Sequence, residues 1–387
     1  MKRKITFLSF LAIFFVVNVN ATVWRVSSRV ISGVTVNADF NTLQAAIDGA
    51  SAGDTLYLMG SQQSYGAGVF NKQLTVIGPG YWLAENVNTQ AIKDTARVGF
   101  LTFNDGSQGS KVQGLYLNYY TIAQNTSGSY LRLILVNTDS ITILKNYLFM
   151  HRDGNYTVGT YDGVYVNGNR TNIIVQQNWI EVLITDNYSS YNGSVRAINF
   201  SGIPTNCVVQ NNFLRAIPST YGIANCIQLE IIDIANDLKI YNNVMWGSLA
   251  TYYTEQLNNI LLNGSYNGGA DLMMYNLCNE TQYPIDPPEL YNQQNVDMST
   301  VFTDHTKYID NGFTLVPSSP AIGAGVNGGD CGVFSFDTGG YPYVLSGMPA
   351  IPAIYEATVE PIVGSSLPVN IKASSHNEHN KRYDEDL

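Results

Sequence analysis

A short pattern of apolar and polar positions recurs along the chain: an aliphatic residue, two variable residues, an asparagine, one further residue, then an apolar one. It is carried by Ile143, Asn146 and Leu148; Val175, Asn178 and Ile180; Val209, Asn212 and Leu214; Ile240, Asn243 and Met245; and Met273, Asn276 and Cys278. The asparagines fall 32, 34, 31 and 33 residues apart. A second apolar run precedes each of them, at residues 131–137, 163–167, 195–201, 227–233 and 259–263. Each period therefore predicts two or three short strands parted by Gly, Asn and Ser turns. No stretch within the repeats keeps a helical period, which disfavours a sheet with crossover helices. Strand-built repeats of this length predict an all-β solenoid in which each coil stacks on the next.

The repeated asparagine has a physical task in such a stack. Neighbouring coils lie about 4.8 Å apart, a gap that a side-chain amide can bridge to the coils on either side. A column of amides then satisfies turn groups that would otherwise be buried unpaired. Asn also tolerates the left-handed backbone of a tight bend, and the repeat asparagines are expected to adopt it. They read as structural.

Both ends look different from the repeats. Residues 41–49 predict a short amphipathic capping helix, with Leu43, Ala46, Ile47 and Ala50 on one face and Asn41 as its N-cap. Residues 56–59 follow as the first strand. The proline-rich residues 341–355 cannot continue an interior ladder. Residues 367–372 read as a last edge strand, and the tail from Ser374 has the polar composition of an unstructured segment.

The first residues bear on the compartment. Lys2, Arg3 and Lys4 precede an unbroken apolar run over residues 5–17, and Val19, Asn20 and Ala21 supply small residues before a cleavage point. That run is shorter than the roughly 20 residues a membrane span takes. Residues 1–21 are therefore expected to be a signal peptide, residues 22–355 the solenoid with its caps, and residues 356–387 the edge strand and tail. The mature protein is expected to be secreted, without a membrane span, and monomeric.

Removing residues 1–21 takes away three basic groups and no acid, moving the formal charge from −10 to −13. Nucleic acid is disfavoured as a partner, because its binding needs a basic footprint. A broad polyanion surface would meet the same repulsion, although a local basic cleft would escape it. Cys207, Cys226, Cys278 and Cys331 allow three disulfide pairings in an exported chain. Cys207 and Cys278 fall on inward positions, so small buried thiols are the competing reading.

Residues 40–54, the asparagine column from Asn146 to Asn276, and a closing motif at residues 319–325 and 330–332 together resemble the pectin-lyase-like superfamily of secreted proteins. The resemblance covers about residues 25–355. It implies a right-handed parallel β-helix. It does not imply one activity, because the same coil carries lyases, hydrolases, esterases and adhesins. Asn137, Thr138 and Asp139 match the first polygalacturonase-like motif, but no Asp-Asp, Gly-His-Gly or Arg-Ile-Lys follows. Inverting hydrolysis needs a placed pair of carboxylates, so the match is read as chance. Lyase chemistry of this superfamily would bring Ca²⁺ and a basic residue; no clustered acids recommend it, and no other cofactor is indicated.

Stacking the coils on their asparagines yields candidates instead. Thirteen residues before each lie Leu133, Tyr165, Asn199, Glu230 and Asn263, and three residues earlier stand Tyr130, Asp162, Arg196 and Ile227. Asp162, Tyr165, Arg196, Asn199 and Glu230 are thus expected on one shallow outer face. Glu230, Arg196 and Asp162 are the candidate acid/base and charge-stabilising groups, with Tyr165 and Asn199 as ligand contacts. A polar outer face whose charges pair with one another is the alternative. A second column holds Phe149, Glu181, Arg215, Trp246 and Asn279, with Glu181 and Arg215 placed for a salt bridge. Four segments, residues 151–162, 183–194, 217–225 and 247–256, read as long loops leaving one side of successive coils. They carry Tyr161, Tyr191 and Tyr221, further candidate ligand contacts, because tyrosine gives amphipathic area at low entropic cost.

Two functions fit these observations. One is a non-catalytic binder of extracellular or cell-surface polysaccharide, or of a protein partner, through Tyr- and Asn-rich loops. The other is a polysaccharide lyase or glycoside hydrolase centred on Glu230.

Overall fold

The computed structural model describes residues 21–31, 33–118, 130–152, 159–184, 194–218, 222–335, 338, 341–362 and 365–375. Short parallel strands stack into three long sheets of ten, eight and seven strands. The chain is an all-β parallel solenoid. In one coil Thr160–Val166 lies in the seven-stranded sheet, Ile174–Gln176 in the ten-stranded sheet and Trp179–Ile184 in the eight-stranded sheet. The next coil repeats the order with Ser194–Phe200, Cys207–Gln210 and Phe213–Ile217. Inward side chains fuse into one apolar column running from Val26 and Leu56 to Cys278.

The asparagine column runs where the chain leaves the ten-stranded sheet for the eight-stranded one. Asn178 Nδ2 donates to Asn212 Oδ1 at 3.0 Å, and Asn178 N donates to the same oxygen at 2.9 Å. Asn178 Nδ2 also reaches the Ile143 carbonyl of the coil behind at 2.8 Å. Each buried amide is thereby satisfied on both sides, which a solvent-free bend requires. The left-handed conformation belongs to the preceding residue, not to the ladder asparagine. Lys145, Gln177, Asn211, Asn242, Asn258, Tyr275 and Tyr291 have φ between 53 and 58°. The strand after the bend needs the asparagine extended, so the sharp turn moves one position back.

The ladder also contains Asn259 and Asn292, which the 33-residue spacing conceals. Asn243, Asn259, Asn276 and Asn292 are linked at separations of 16, 17 and 16 residues. The interval between Asn243 and Asn276 is therefore two short coils, not one long coil. Within it Ser248–Ala250 pairs into the seven-stranded sheet and Ile260–Leu262 into the eight-stranded one. The supposed long loop at residues 247–256 thus holds a strand.

Near the front, Leu43–Gly49 is helical, with Thr42 rather than Asn41 as its N-cap through Oγ1 to Ala45 N. Leu43, Ala46 and Ile47 join the central column. Beyond the coils, the described residues between 298 and 348 turn back over the outside of the eight-stranded sheet. Met298, Val301, Phe302, Phe313, Ala321, Cys331, Val333 and Tyr343 form a second buried cluster with Trp179, Phe213, Val244, Ile260 and Leu277. The closing motif docks on an αL bend: Val326 N bonds Asn258 Oδ1 at 2.9 Å and Gly332 N bonds Asn258 O at 2.7 Å. Finally Pro352–Val359 and Val369–Ser375 pair with each other as an antiparallel hairpin, not with a solenoid sheet. Cys207, Cys226, Cys278 and Cys331 are all buried free thiols.

Candidate functional site

The outward positions of the seven-stranded sheet carry the polar chemistry. Strand pairing aligns Arg132, Asp162, Arg196 and Asn225 in one column, and Leu135, Tyr165, Asn199 and Gln228 in the next. A fixed count back from the ladder misplaces the ends of both columns, because the link between this sheet and the ladder changes length between coils. Leu133 and Ile227 point into the core. Arg132 takes the place expected for Tyr130, and Gln228 the place expected for Glu230.

Glu230 nevertheless belongs to the cluster. It follows the strand Ile223–Leu229 directly, and its Oε1 accepts from Arg196 Nη1 at 2.8 Å and Asn199 Nδ2 at 2.7 Å. Arg196 also donates through Nε to Asp162 Oδ1 at 2.6 Å and through Nη2 to Oδ2 at 3.2 Å. Arg132 approaches Asp162 from the preceding coil, with Nε at 3.5 Å from Oδ2. The result is a chain of alternating charge, Arg132, Asp162, Arg196 and Glu230, climbing successive coils. Tyr165 lies under the Arg132 guanidinium, whose Cζ is 3.4 Å from the ring centroid, a close cation–π contact.

Burial separates the two acids. Asp162 is fully enclosed, whereas 34 % of the Glu230 side chain is exposed. Burial pushes the Asp162 carboxyl above the ordinary carboxylate range, while Arg196 and Arg132 pull it back and Glu230 pushes it up. Among the described residues both hydrogen bonds to Glu230 fall on Oε1, leaving Oε2 without a partner. Asn199 Oδ1 and Asn225 Oδ1 are buried without hydrogen-bond partners among the described residues. Such acceptors have a cost unless something donates to them.

Tyr161, a candidate ligand contact, faces the other way. It alternates with Asp162 along the strand and is buried in the central column. Its phenol lies where a Cβ on Gly159 would sit 2.9 Å away. Tyr191 and Tyr221 lie outside the described residues. In the Asn137, Thr138 and Asp139 triplet, Asn137 and Asp139 have structural work. Asn137 links Asn104 and Asn167 in a second amide ladder, and Asp139 Oδ1 accepts from Thr171 N at 2.9 Å. Asn71 extends that ladder through Asn104 at 3.2 Å. The periodic spacing of residues 71, 104, 137 and 167 was a signal for it.

The second expected column is also formed, with Leu262 inserted ahead of Asn279 by the extra short coil. Phe149, Glu181, Arg215, Trp246 and Leu262 align across the eight-stranded sheet. Glu181 accepts from the Trp179 indole N–H and pairs with Arg215 at 3.4 Å. Arg215 in turn sits 3.9 Å from the Tyr308 ring centroid. Burial pushes the Glu181 carboxyl up against the pull of these donors. With residues 298–348 over it, this pair serves packing.

Among the described residues, no group of three or more His, Cys, Asp or Glu is placed to hold a metal ion. No helix among them is long and apolar enough to cross a membrane. Sequence comparison adds no kinship: no protein-family model matches the chain, and no curated protein matches it.

Proposed function

We propose that this is a secreted, non-catalytic binder of extracellular polysaccharide that presents the outward face of its seven-stranded sheet around Tyr165, Arg196, Asn199 and Glu230. The observation that carries this reading is the fate of the two carboxylates. Asp162 and Glu230 both pair with Arg196, so neither stands as an unpaired base beside an unpaired acid, as acid–base chemistry on a sugar demands. What the face does offer a glycan is the partly exposed Glu230 carboxylate, for which sugar hydroxyls are natural donors. Secretion rests on the basic, apolar and small-residue order of residues 1–21. Kinship with the right-handed pectin-lyase-like proteins rests on the ladder and on the closing motif docked at Asn258.

One observation favours the enzyme reading. Glu230 is the partly exposed acid of the cluster, and its Oε2 is unpaired among the described residues. It could remove or deliver a proton while Arg196 stabilises the resulting charge.

A polysaccharide panel, with and without Ca²⁺, separates the two. Retention on neutral polysaccharides with neither ultraviolet-absorbing unsaturated products nor new reducing ends is the expected result. Turnover that disappears in Glu230→Gln with an unchanged melting temperature would replace binding by catalysis.

A further inference from the structure

A shallow, open pocket lies on a different sheet, where three successive coils enter the C-terminal end of the ten-stranded sheet. Its volume is about 260 Å³, and its walls come from Asn236, Asp237, Tyr253, Thr254, Glu255 and Leu272. We propose that this pocket binds a single uncharged pyranose unit, such as a chain-terminal or branch sugar.

Its frame is held before any ligand arrives. Asp271 sits behind the wall and accepts from Thr254 N at 2.7 Å, Thr254 Oγ1 at 3.0 Å, Thr251 Oγ1 at 2.7 Å and Tyr266 Oη at 2.8 Å. That carboxylate is saturated, so it fixes Thr254 and the strand start at Glu255. Tyr253 stands in the left-handed region at φ 57°, held by its N–H to the Gly269 carbonyl at 3.2 Å, and its side chain remains exposed. Asn236 is buried and anchored through Nδ2 to the Ile231 and Tyr252 carbonyls, both at 3.1 Å. Its Oδ1 has no hydrogen-bond partner.

The chemistry of the lining selects the ligand class. Asp237 and Glu255 present carboxylate oxygens, which call for hydroxyl donors at adjacent positions. Tyr253 and Leu272 supply apolar surface for a ring face. Lys239 is the register neighbour of Glu255 but does not line the pocket. Two acids repel a uronate, and adjacent carboxylate oxygens suit paired hydroxyls. A neutral ring with vicinal hydroxyls fits both conditions. The pocket needs neither the arginine chain nor the loops of the seven-stranded face, so its test is independent of the function proposed above.

The experiment is a calorimetric titration of the purified protein with methyl mannoside, methyl galacturonate and glucosamine, repeated on Tyr253→Ala and Glu255→Gln. Saturable binding of the neutral glycoside is expected, with a dissociation constant on the order of 1 mM, ordinary for so small a ligand. Both variants should weaken it at least about tenfold, the scale of losing a charge-assisted hydrogen bond or a stacking face. Asp237→Asn serves as a second acid variant if Glu255→Gln melts early. Absence of saturable binding, preference for the uronate or the amine, or loss of binding in Tyr165→Ala but not in Tyr253→Ala would each overturn the proposal.

Discussion

On the eight-stranded sheet the outward column beside the ladder runs Tyr147, Trp179, Phe213, Val244, Ile260 and Leu277. Residues 298–348 lie over it, and Trp179 packs edge-on against Phe313 at 5.5 Å. On the seven-stranded sheet the corresponding outward columns read Arg132, Asp162, Arg196 and Asn225 beside Leu135, Tyr165, Asn199 and Gln228. Both faces bury an acid and an arginine, yet the consequences differ. Under the aromatic cover, Glu181 and Arg215 are closed in by Trp179, Trp246 and Tyr308, away from any ligand, even though Arg215 Nε has no hydrogen-bond partner among the described residues. On the polar face the chain of charge ends at a partly exposed Glu230 and leaves two amide oxygens unpaired. Buried charge is thus a poor guide to function until one asks where its hydrogen bonds stop.

The comparison can be broken at several points. Trp179→Ala should give the largest effect, about 4 kcal/mol of stability, because a packed aromatic is deleted between two layers. Denaturant titration measures it, and proteolysis within residues 298–348 should accelerate in parallel. A small shift with no new cleavage would mean that the cover is not held by this contact.

Asp310 tests the same cover by pH. It is buried between segments, accepting from Asn86 Nδ2 at 2.8 Å and Ser346 N at 2.5 Å and lying 3.4 Å from Tyr343 Oη, with Tyr81 also nearby. Burial pushes its carboxyl from 3.8 to about 6. The folded state therefore holds the proton more tightly than the unfolded state does. The stabilising contribution is complete below about pH 4 and is lost as pH rises to about 6, amounting to up to about 3 kcal/mol. Melting curves of the wild type and Asp310→Asn should diverge across that window, with the variant flatter; parallel curves would refute it.

Asp162→Asn should cost about 2 kcal/mol, because Arg196 loses its buried partner. The figure sits below the usual cost since Arg132 keeps 25 % exposure and can turn to solvent. Glu230→Gln should cost less than about 1 kcal/mol, as expected for a half-open pair, yet weaken polysaccharide retention severalfold. If Glu230→Gln destabilised more than Asp162→Asn, the polar face would be a packing device like its aromatic counterpart.

The fold was largely legible in the spacing of asparagines, because a stacked amide can be satisfied only by another amide at the same place in the next coil. What spacing could not reveal was coil length where loops are absent, so Asn259 was hidden inside an apparent long period and Asn292 fell beyond the last repeat that was read. The site was partly legible. Asp162 and Arg196, and Tyr165 and Asn199, are neighbours as their shared distance from the ladder implies. Arg132 was missed and Glu230 reached its place from outside the strand, because links between sheets vary in length. Tyr161 fell to the strand's alternation, which puts the neighbour of an outward acid inside. The cover over the eight-stranded sheet had no periodic signature, since it is built from irregular turns.

The short coils near the end of the ladder make the molecule its own unit of length. One coil of 16 or 17 residues, from Asn243 to Asn259 or from Asn259 to Asn276, carries a complete set of bends and matches the coil on either side. Duplicating such a unit would lengthen the rod by about 4.8 Å while leaving every existing amide a partner above and below. The length of the solenoid can therefore be adjusted in equal steps, without redesigning a core or moving the outward faces.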